Sequence, residues 1–233
     1  MPVYETRLER SLGAIRERIA AAAARSGRDP DEVTVVAVTK AHSIEAVQAA
    51  LAFGLFDLGE NRVEELAEKA ASVGDERVRW HMIGHLQRRK APRVVGVAGL
   101  VHSIDSLRLA QRLSNAAVEA GQKQPVLIQV NTSGEETKRG LPGREIGDDV
   151  RGIVSLPGLE IKGLMTMAPF TDEETVLRGT FRALRELNDE LRHVDGYAGA
   201  ELSMGMTNDF EIAIEEGSTM IRLGTALFGG RTA

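Results

Sequence analysis

The stretch Val33-Thr34-Val35-Val36-Ala37-Val38-Thr39-Lys40 decides the fold of this chain. Its first six residues form a short, continuous and mostly β-branched run. Such a run is typical of a strand that helices cover on both faces of a parallel sheet. Lys40 follows the run and is therefore predicted to lie at the carboxyl end of a buried strand.

Helices and strands alternate along the rest of the sequence. The spacing of Ala, Leu, Arg and Glu predicts an amphipathic helix over residues 5–25, ahead of the first strand. Later helices are predicted to begin at N-cap residues, namely Ser43, Asp105 or Ser106, and Thr171. Further strands are predicted at residues 56–58, 80–83, 100–103, 126–130, 159–165, 201–203 and 220–223.

Eight strands that alternate with eight helices predict a closed parallel (β/α)8 barrel, the TIM barrel. An open doubly wound sheet is the competing architecture, and it usually carries a glycine-rich turn after its first strand. Here residues 39–42 read Thr-Lys-Ala-His, without glycine. No linker or change of composition divides the chain, so we expect a single domain over residues 1–233.

Composition excludes several functional classes. The chain has no cysteine, which excludes disulfides and thiolate chemistry. Its net charge of -5 does not suit nucleic acid or anionic membranes. The N-terminus is charged where a secretory signal would be apolar, and no apolar run approaches the roughly 20 residues that span a bilayer. We expect a cytoplasmic protein, and the scattered histidines predict no metal site.

Lys40 is the sharpest candidate for chemistry. Barrels of this kind carry their sites at the carboxyl ends of the strands, and Lys40 is the only amine predicted there. Burial at a strand end lowers the pKa of a lysine ammonium and leaves a neutral amine that can attack an aldehyde. The alternative is a lysine that only extends its charge from the strand end into water.

The other end of the predicted site follows the last strand. Gly224-Thr225 offers backbone N–H groups and a hydroxyl that could hold a phosphate group, and loops after the last two barrel strands often do so. Ser203, predicted to end the seventh strand, could add a hydroxyl. An ordinary helix cap at Thr225 is the alternative.

Arg222 lies on a strand that must be buried, where a charge needs a partner or a function. If it points inward, its guanidinium faces the barrel mouth and could donate to a ring nitrogen, which then stays unprotonated. An outward ion pair with a surrounding helix is the alternative. The basic run Arg88-Arg89-Lys90 is interpreted as a solvated helix face.

Seven motifs follow one another in a fixed order over nearly the whole chain. They are Ala37-Val38-Thr39-Lys40, Gly59-Glu60-Asn61, Trp80-His81-Met82-Ile83-Gly84-His85-Leu86-Gln87, Gln129-Val130-Asn131, Gly163-Leu164-Met165, Leu202-Ser203-Met204-Gly205-Met206 and Ile221-Arg222-Leu223-Gly224-Thr225-Ala226-Leu227-Phe228-Gly229. In this order they resemble the pyridoxal phosphate homeostasis proteins, the YggS/PROSC family. The chain departs from relatives at Ser43, where they often have proline, and at Arg89, where they often have asparagine.

The resemblance implies a fold-type III barrel for pyridoxal 5′-phosphate (PLP), shared with the N-terminal domain of alanine racemase. It implies that Lys40 holds PLP as a Schiff base and that Arg222 meets the pyridine nitrogen. The remaining implied contacts are Ser203, Gly224 and Thr225 at the phosphate, and Asn61 and Met204 along the cofactor.

The resemblance also implies a function without a firmly assigned substrate reaction. Such proteins buffer or deliver PLP, so we expect a monomeric carrier that is not an enzyme, with PLP-dependent apo-enzymes as recipients. An amino-acid racemase is the alternative, but alanine racemases use a tyrosine from a second domain. Here Tyr4 and Tyr197 are the only tyrosines, and neither lies at a predicted strand end. A Schiff-base aldolase would leave Arg222 unexplained.

Overall fold

A closed barrel of parallel strands forms the centre of the protein. The computed structural model describes residues 3–135, 138–143 and 146–230. The strands of this part of the chain are β1 Thr34–Val38, β2 Asp57–Glu60, β3 Arg79–Met82, β4 Leu100–Ile104, β5 Gln124–Asn131, β6 Leu141–Pro142, β7 Leu159–Met165, β8 Glu201–Met206 and β9 Met220–Leu223. The order β4-β3-β2-β1-β9-β8-β7-β5 closes through pairing of β4 with β5, while β6 pairs with β5 outside the ring. The predicted barrel is confirmed.

Helices cover the outside of the barrel. They are α1 Val3–Arg25, α2 Ile44–Ala52, α3 Val63–Val73, α4 Leu107–Glu119, α5 Gly147–Val154, α6 Glu174–Leu191, α7 Phe210–Glu215 and α8 Thr225–Phe228, and a 3₁₀ helix spans Pro30–Glu32. A second 3₁₀ helix, Arg88–Arg93, stands between β3 and β4 and contains Pro92, which cannot donate to an α-helical ladder. The basic run Arg88-Arg89-Lys90 faces solvent as predicted, but it lies on this 3₁₀ helix and not on an α-helix.

The predicted helix starts were confirmed in part. Ser106 caps α4, because its hydroxyl accepts a hydrogen bond from the backbone N–H of Leu109 at 3.4 Å. Ser43 occupies the N-cap position of α2 without a side-chain cap bond. The prediction for Thr171 was wrong by two residues: Glu173 is the N-cap of α6, and the Thr171 hydroxyl accepts from the Glu173 N–H instead.

Strand β8 extends three residues beyond the predicted end. It continues through Met204 and Gly205 to Met206, so the prediction that Ser203 ends this strand was wrong. Gly205 has φ +95°, and a Cβ there would lie 2.6 Å from the Ala213 Cβ of α7. Glycine thus lets the strand pass close beneath α7 and continue. The loop that reaches the barrel mouth therefore begins after Met206.

The aliphatic core is divided between two regions. The larger part fills the space between sheet and helices. A smaller cluster lies inside the barrel: on three of its strands, the side chain two residues further along, Val38, Gln129 or Arg222, lines the barrel mouth. This inner cluster consists of Val36, Leu100, Leu127, Met165 and Met220. In the described residues, no helix has the length and apolarity needed to cross a membrane.

Candidate functional site

A cavity of about 440 Å³ opens at the carboxyl ends of the barrel strands. This is where parallel barrels carry their sites. Its described lining consists of Val38, Lys40, Asn61, Ile83, Gly84, His85, Gln129, Arg139, Met167, Ala168, Pro169, Phe170, Met206, Thr207, Asn208, Asp209, Arg222, Gly224 and Thr225.

The structure brings five of the seven predicted site residues to this cavity. They are Lys40, Asn61, Arg222, Gly224 and Thr225. The other two lie elsewhere. Ser203 is fully buried inside the barrel, one layer below the mouth, and Met204 packs in the core between barrel and helices. Both displacements follow from the continuation of β8 to Met206.

Lys40 is half-buried and follows a firmly anchored residue. The Thr39 hydroxyl donates to Glu60 Oε1 at 2.6 Å, and Lys69 Nζ donates to the Thr39 carbonyl at 2.8 Å. Lys69 Nζ also lies 2.7 Å from Glu60 Oε1 and 3.2 Å from Glu65 Oε1. We call Thr39, Glu60, Glu65 and Lys69 the Lys69 network. It lies between the barrel and α3.

The residue after Lys40 is held by the same network. Ala41 has φ +58°, in the left-handed region that costs a residue with a Cβ on the order of 1–2 kcal/mol. Its backbone N–H donates to Glu65 Oε1 at 2.7 Å. The network therefore fixes the backbone on both sides of Lys40.

Burial sets the electrostatics of this network. It raises the pKa of Glu60, although hydrogen bonds from Lys69 and Thr39 act in the opposite direction. Glu60 Oε2 is buried and has no hydrogen-bond partner among the described residues. The Glu60 carboxylate thus depends on contacts at one oxygen, and Lys69 supplies the charge that compensates it.

Arg222 points into the barrel, which is the inward orientation considered from the sequence, and it forms no outward ion pair among the described residues. It is only 5% exposed, and its two terminal nitrogens donate to Ser203 Oγ at 2.6 Å and to the Thr166 carbonyl at 2.9 Å. Burial lowers the pKa of Arg222 to about 10, while the charge of Asp209 opposes that change. The guanidinium remains charged at neutral pH and faces the cavity.

A chain of polar side chains continues from Arg222 through the barrel. His102 Nδ1 lies 2.9 Å from Ser203 Oγ, and His102 Nε2 lies 2.8 Å from His81 Nδ1. His81 Nε2 lies 2.9 Å from Asp57 Oδ1. Burial lowers the pKa of both histidines, that of His102 well below its ordinary value. Both imidazoles are therefore neutral at pH 7.

The loops after β8 and β9 meet at the predicted phosphate end. Gly224 precedes α8, whose first residue is Thr225, and the first N–H groups of a helix have no partner within it. The Thr207 hydroxyl accepts a hydrogen bond from the Ala226 N–H at 3.3 Å, which joins the two loops. These loops present two threonine hydroxyls beside the Gly224–Thr225 backbone.

The cavity has a charge opposite to that of the whole chain. Its described lining carries three basic residues, Lys40, Arg139 and Arg222, against the single carboxylate of Asp209. The chain as a whole has a net charge of -5. An excess of cations in one concave site favours an anionic ligand. Among the described residues, no cluster of three or more His, Asp or Glu is arranged to hold a metal ion.

Sequence reasoning missed the part of the lining that comes from loops. Thr207 and Asn208 were missed because β8 was ended too early, and residues 167–170 were missed because they follow β7 without a recognisable motif. The motif Leu-Ser-Met-Gly-Met carried the missing signal, since its glycine allows the strand to continue.

Comparison with known proteins decides the family. The chain matches the family model described as alanine racemase, N-terminal domain, over residues 11–232. It is 39% identical to the pyridoxal phosphate homeostasis protein of Aquifex aeolicus over 220 residues, which cover 94% of this chain and 96% of that protein. The chain belongs to the pyridoxal phosphate homeostasis protein family. The resemblance drawn from the seven motifs is confirmed.

Solved structures agree with this membership. PipY of Synechococcus elongatus, solved with PLP bound, has a TM-score of 0.81 and 34% identity, with 92% of this chain and 100% of that chain covered. An alanine racemase of Clostridium difficile has a TM-score of 0.76 at 15% identity, and the chain covers 58% of it. The second likeness shows the shared barrel fold. The open doubly wound sheet is therefore excluded.

Proposed function

We propose that this member of the family binds PLP in the cavity at the barrel mouth and buffers or delivers it without turning over a substrate. The observation that carries the proposal is that Lys40 and the buried Arg222 line one cavity of about 440 Å³. This volume lies within the range of roughly 300–1,000 Å³ that small ligands occupy in proteins. The PLP-bound structure of PipY, at 34% identity, supports the choice of cofactor.

The chemistry of the lining fits the parts of PLP. PLP combines an aldehyde, a pyridine nitrogen and a phosphate group. The cavity offers an amine at Lys40, a guanidinium at Arg222 and hydroxyl-bearing loops at Thr207 and Thr225. Its excess of basic residues matches the negative charge of the phosphate.

Lys40 is proposed to bind the cofactor covalently. With PLP bound, the ε-amine of Lys40 would condense with the aldehyde to form a Schiff base, and the aldehyde oxygen would leave as water. The Lys69 network supports this role, because it fixes the residues on either side of the lysine.

Arg222 is proposed to donate to the pyridine nitrogen. A guanidinium has donors and no acceptor, so a ring nitrogen opposite it must be unprotonated. An unprotonated ring withdraws electrons less strongly than a protonated one, which suits storage of the cofactor better than catalysis. The resemblance predicted that Ser203 meets the phosphate, but in this proposal Ser203 acts through its contact with Arg222. Met204 packs in the core behind the site. Gly224 and Thr225 hold the phosphate.

Other features support a carrier rather than a racemase. No tyrosine is among the described residues of the cavity lining. Tyr197 donates to Asn188 Oδ1 at 2.7 Å, burial raises its pKa, and the Tyr4 hydroxyl lies 3.2 Å from His42 Nδ1. We propose a cytoplasmic monomer that passes PLP to PLP-dependent apo-enzymes. Phe170, 95% exposed at the cavity rim, lies where such a recipient would approach.

The absorption spectrum tests the proposal. Protein incubated with PLP and freed of excess cofactor is expected to show a visible Schiff-base band. Lys40→Ala should lose that band, whereas Lys90→Ala, which removes a surface lysine paired with Glu64, should keep it. A Lys40→Ala variant with the full band would contradict the Lys40 assignment. Sustained racemisation of alanine or serine that depends on Lys40 would contradict the carrier role.

A further inference from the structure

We infer that Ser203, His102, His81 and Asp57 form a one-way chain of hydrogen bonds that positions Arg222 for the ring of the bound cofactor. We call these four residues the barrel relay. The direction of the chain follows from the structure alone, whereas its effect on PLP rests on the proposed function. Its members are positioning residues, since they act through Arg222.

The barrel relay spans the interior of the barrel. Arg222 faces the cavity at the carboxyl ends of the strands, and Asp57 begins β2 at the opposite end, where its side chain is 26% exposed. Between them, His81, His102 and Ser203 are all completely buried. The chain therefore connects the cavity with the far end of the barrel through residues that solvent does not reach.

The two ends of the chain fix its direction. An arginine can only donate and an ionised carboxylate can only accept. Burial raises the pKa of Asp57, but hydrogen bonds from His81 and Arg79 outweigh burial and hold the pKa below its ordinary value. Asp57 is therefore ionised at neutral pH and accepts from His81 Nε2–H.

The tautomer of each neutral histidine then follows. With its proton on Nε2, His81 can only accept at Nδ1, so His102 must donate from its own Nε2. His102 Nδ1 is then an acceptor and takes the hydroxyl proton of Ser203. The Ser203 oxygen is left to accept from Arg222 at 2.6 Å. Every donor points from the cavity toward Asp57.

The consequence for Arg222 is a fixed orientation. Because the hydroxyl proton of Ser203 is committed to His102, its oxygen always presents a lone pair to the guanidinium. The Thr166 carbonyl holds the second terminal nitrogen. These two anchors hold a guanidinium that itself lines the cavity. The charged groups around the relay are Arg79, which pairs with Asp57, and Glu201, which acts on His81.

The test uses the wild-type protein without PLP and two matched serine variants. Ser203→Ala removes the link between Arg222 and His102. Ser103→Ala is the control, because Ser103 is a neighbouring, fully buried serine whose hydroxyl has no partner among the described residues. ¹⁵N NMR of the imidazoles is expected to show Nε2–H tautomers at both His81 and His102 in wild type and Ser103→Ala. In Ser203→Ala both tautomers should persist, because Asp57 sets them from the other end, and the ¹⁵N shift of His102 Nδ1 should change because that nitrogen loses its hydrogen-bond donor.

Binding of two probes, PLP and pyridoxal, separates a role at the ring from a role at the phosphate. We expect Ser203→Ala to weaken both by about ten-fold or more, the loss typical of a hydrogen bond to a charged group, and Ser103→Ala to weaken neither. If Ser203→Ala weakens PLP but leaves pyridoxal unchanged, Ser203 acts on the phosphate and the positioning role is wrong.

Two further outcomes would overturn the inference. An Nδ1–H tautomer at His81 or His102 in wild type contradicts the direction of the chain. Equal affinities of Ser203→Ala and Ser103→Ala for both probes contradict the positioning of Arg222. A wild-type protein that binds neither probe contradicts the proposed function itself, and the tautomers of the cofactor-free protein still decide whether the relay exists.

Discussion

Two buried polar networks support the cavity, and they are built from different kinds of groups. The Lys69 network, outside the barrel, consists of charges: Lys69 compensates Glu60, and Glu60 Oε2 lacks a partner in the described chain. The barrel relay, inside the barrel, passes through neutral imidazoles and the hydroxyl of Ser203. The first fixes the backbone around Lys40, and the second orients the side chain of Arg222.

The difference between them concerns what a substitution removes. A buried ion that loses its partner carries a large desolvation penalty, whereas a neutral hydrogen bond contributes less. Disruption of the Lys69 network is therefore expected to cost stability first. Disruption of the barrel relay is expected to change the orientation of the Arg222 side chain and the pH dependence of the free energy of unfolding.

The largest effect is expected for Lys69→Met, which keeps the aliphatic stem and removes the charge. Glu60 is then left as an unpaired buried carboxylate, and the free energy of unfolding should fall by about 3–5 kcal/mol. Urea denaturation at pH 7.5 measures the change. Lys90→Met, at a surface pair with Glu64, serves as control and should change almost nothing. Equal stabilities of the two variants would show that the Lys69 charge is not needed.

A medium effect on the free energy of unfolding is expected when the pH is lowered, because the histidines of the barrel relay are buried. Their pKa values are lowered in the fold, so the unfolded chain binds more protons below pH 6.5. Their contribution to the free energy of unfolding should be fully present above pH 6.5. As the pH is lowered further, it should decrease by up to about 1.4 kcal/mol per pH unit for each histidine. Urea denaturation at pH 7.5 and 5.5 checks this.

A matched pair of histidine variants isolates that effect. His102→Gln should lose part of the difference in stability between pH 7.5 and 5.5, whereas the exposed His193→Gln should keep all of it. NMR titration of wild type gives the same information without a variant. A histidine pair that titrates near pH 6.5 in the folded protein would contradict the expected shift.

The smallest effect is expected at Ala41. Ala41→Gly relieves the left-handed conformation, and the greater chain entropy of glycine offsets part of the gain, which leaves about 0.5–1 kcal/mol of stabilisation. Ala71→Gly, at an exposed position within α3, should instead cost about 1 kcal/mol. Thermal unfolding compares the two. A loss of stability in both would mean that the backbone at Ala41 is not strained.

Much of the fold could be predicted because its signals are local. The strands predicted at Leu159–Met165 and Met220–Leu223 match β7 and β9 residue for residue. The end of β8 was placed too early, because the glycine of Leu-Ser-Met-Gly-Met was not recognised as part of a strand, and the reason it belongs there, a close approach of Gly205 to α7, is visible only in the folded chain.

The candidate site shows the same division. Lys40 could be identified from its place just after a buried strand, and Arg222 from its place on one. The partners that hold Arg222 could not, since the strand of Ser203 meets the strands of His81 and His102 only across the interior of the closed barrel. A histidine at a buried strand position has no feature in the sequence that distinguishes it from an ordinary core residue.

The most direct test of the central claim is borohydride reduction of the PLP-loaded protein, followed by proteolysis and mass spectrometry. Borohydride converts a C=N bond into a stable C–N bond, so the adduct marks the residue that holds the cofactor. We predict one pyridoxyl adduct, on the peptide that contains Lys40. An adduct on another lysine, with Lys40 unmodified, would contradict the claim that this amine and Arg222 define the cofactor site.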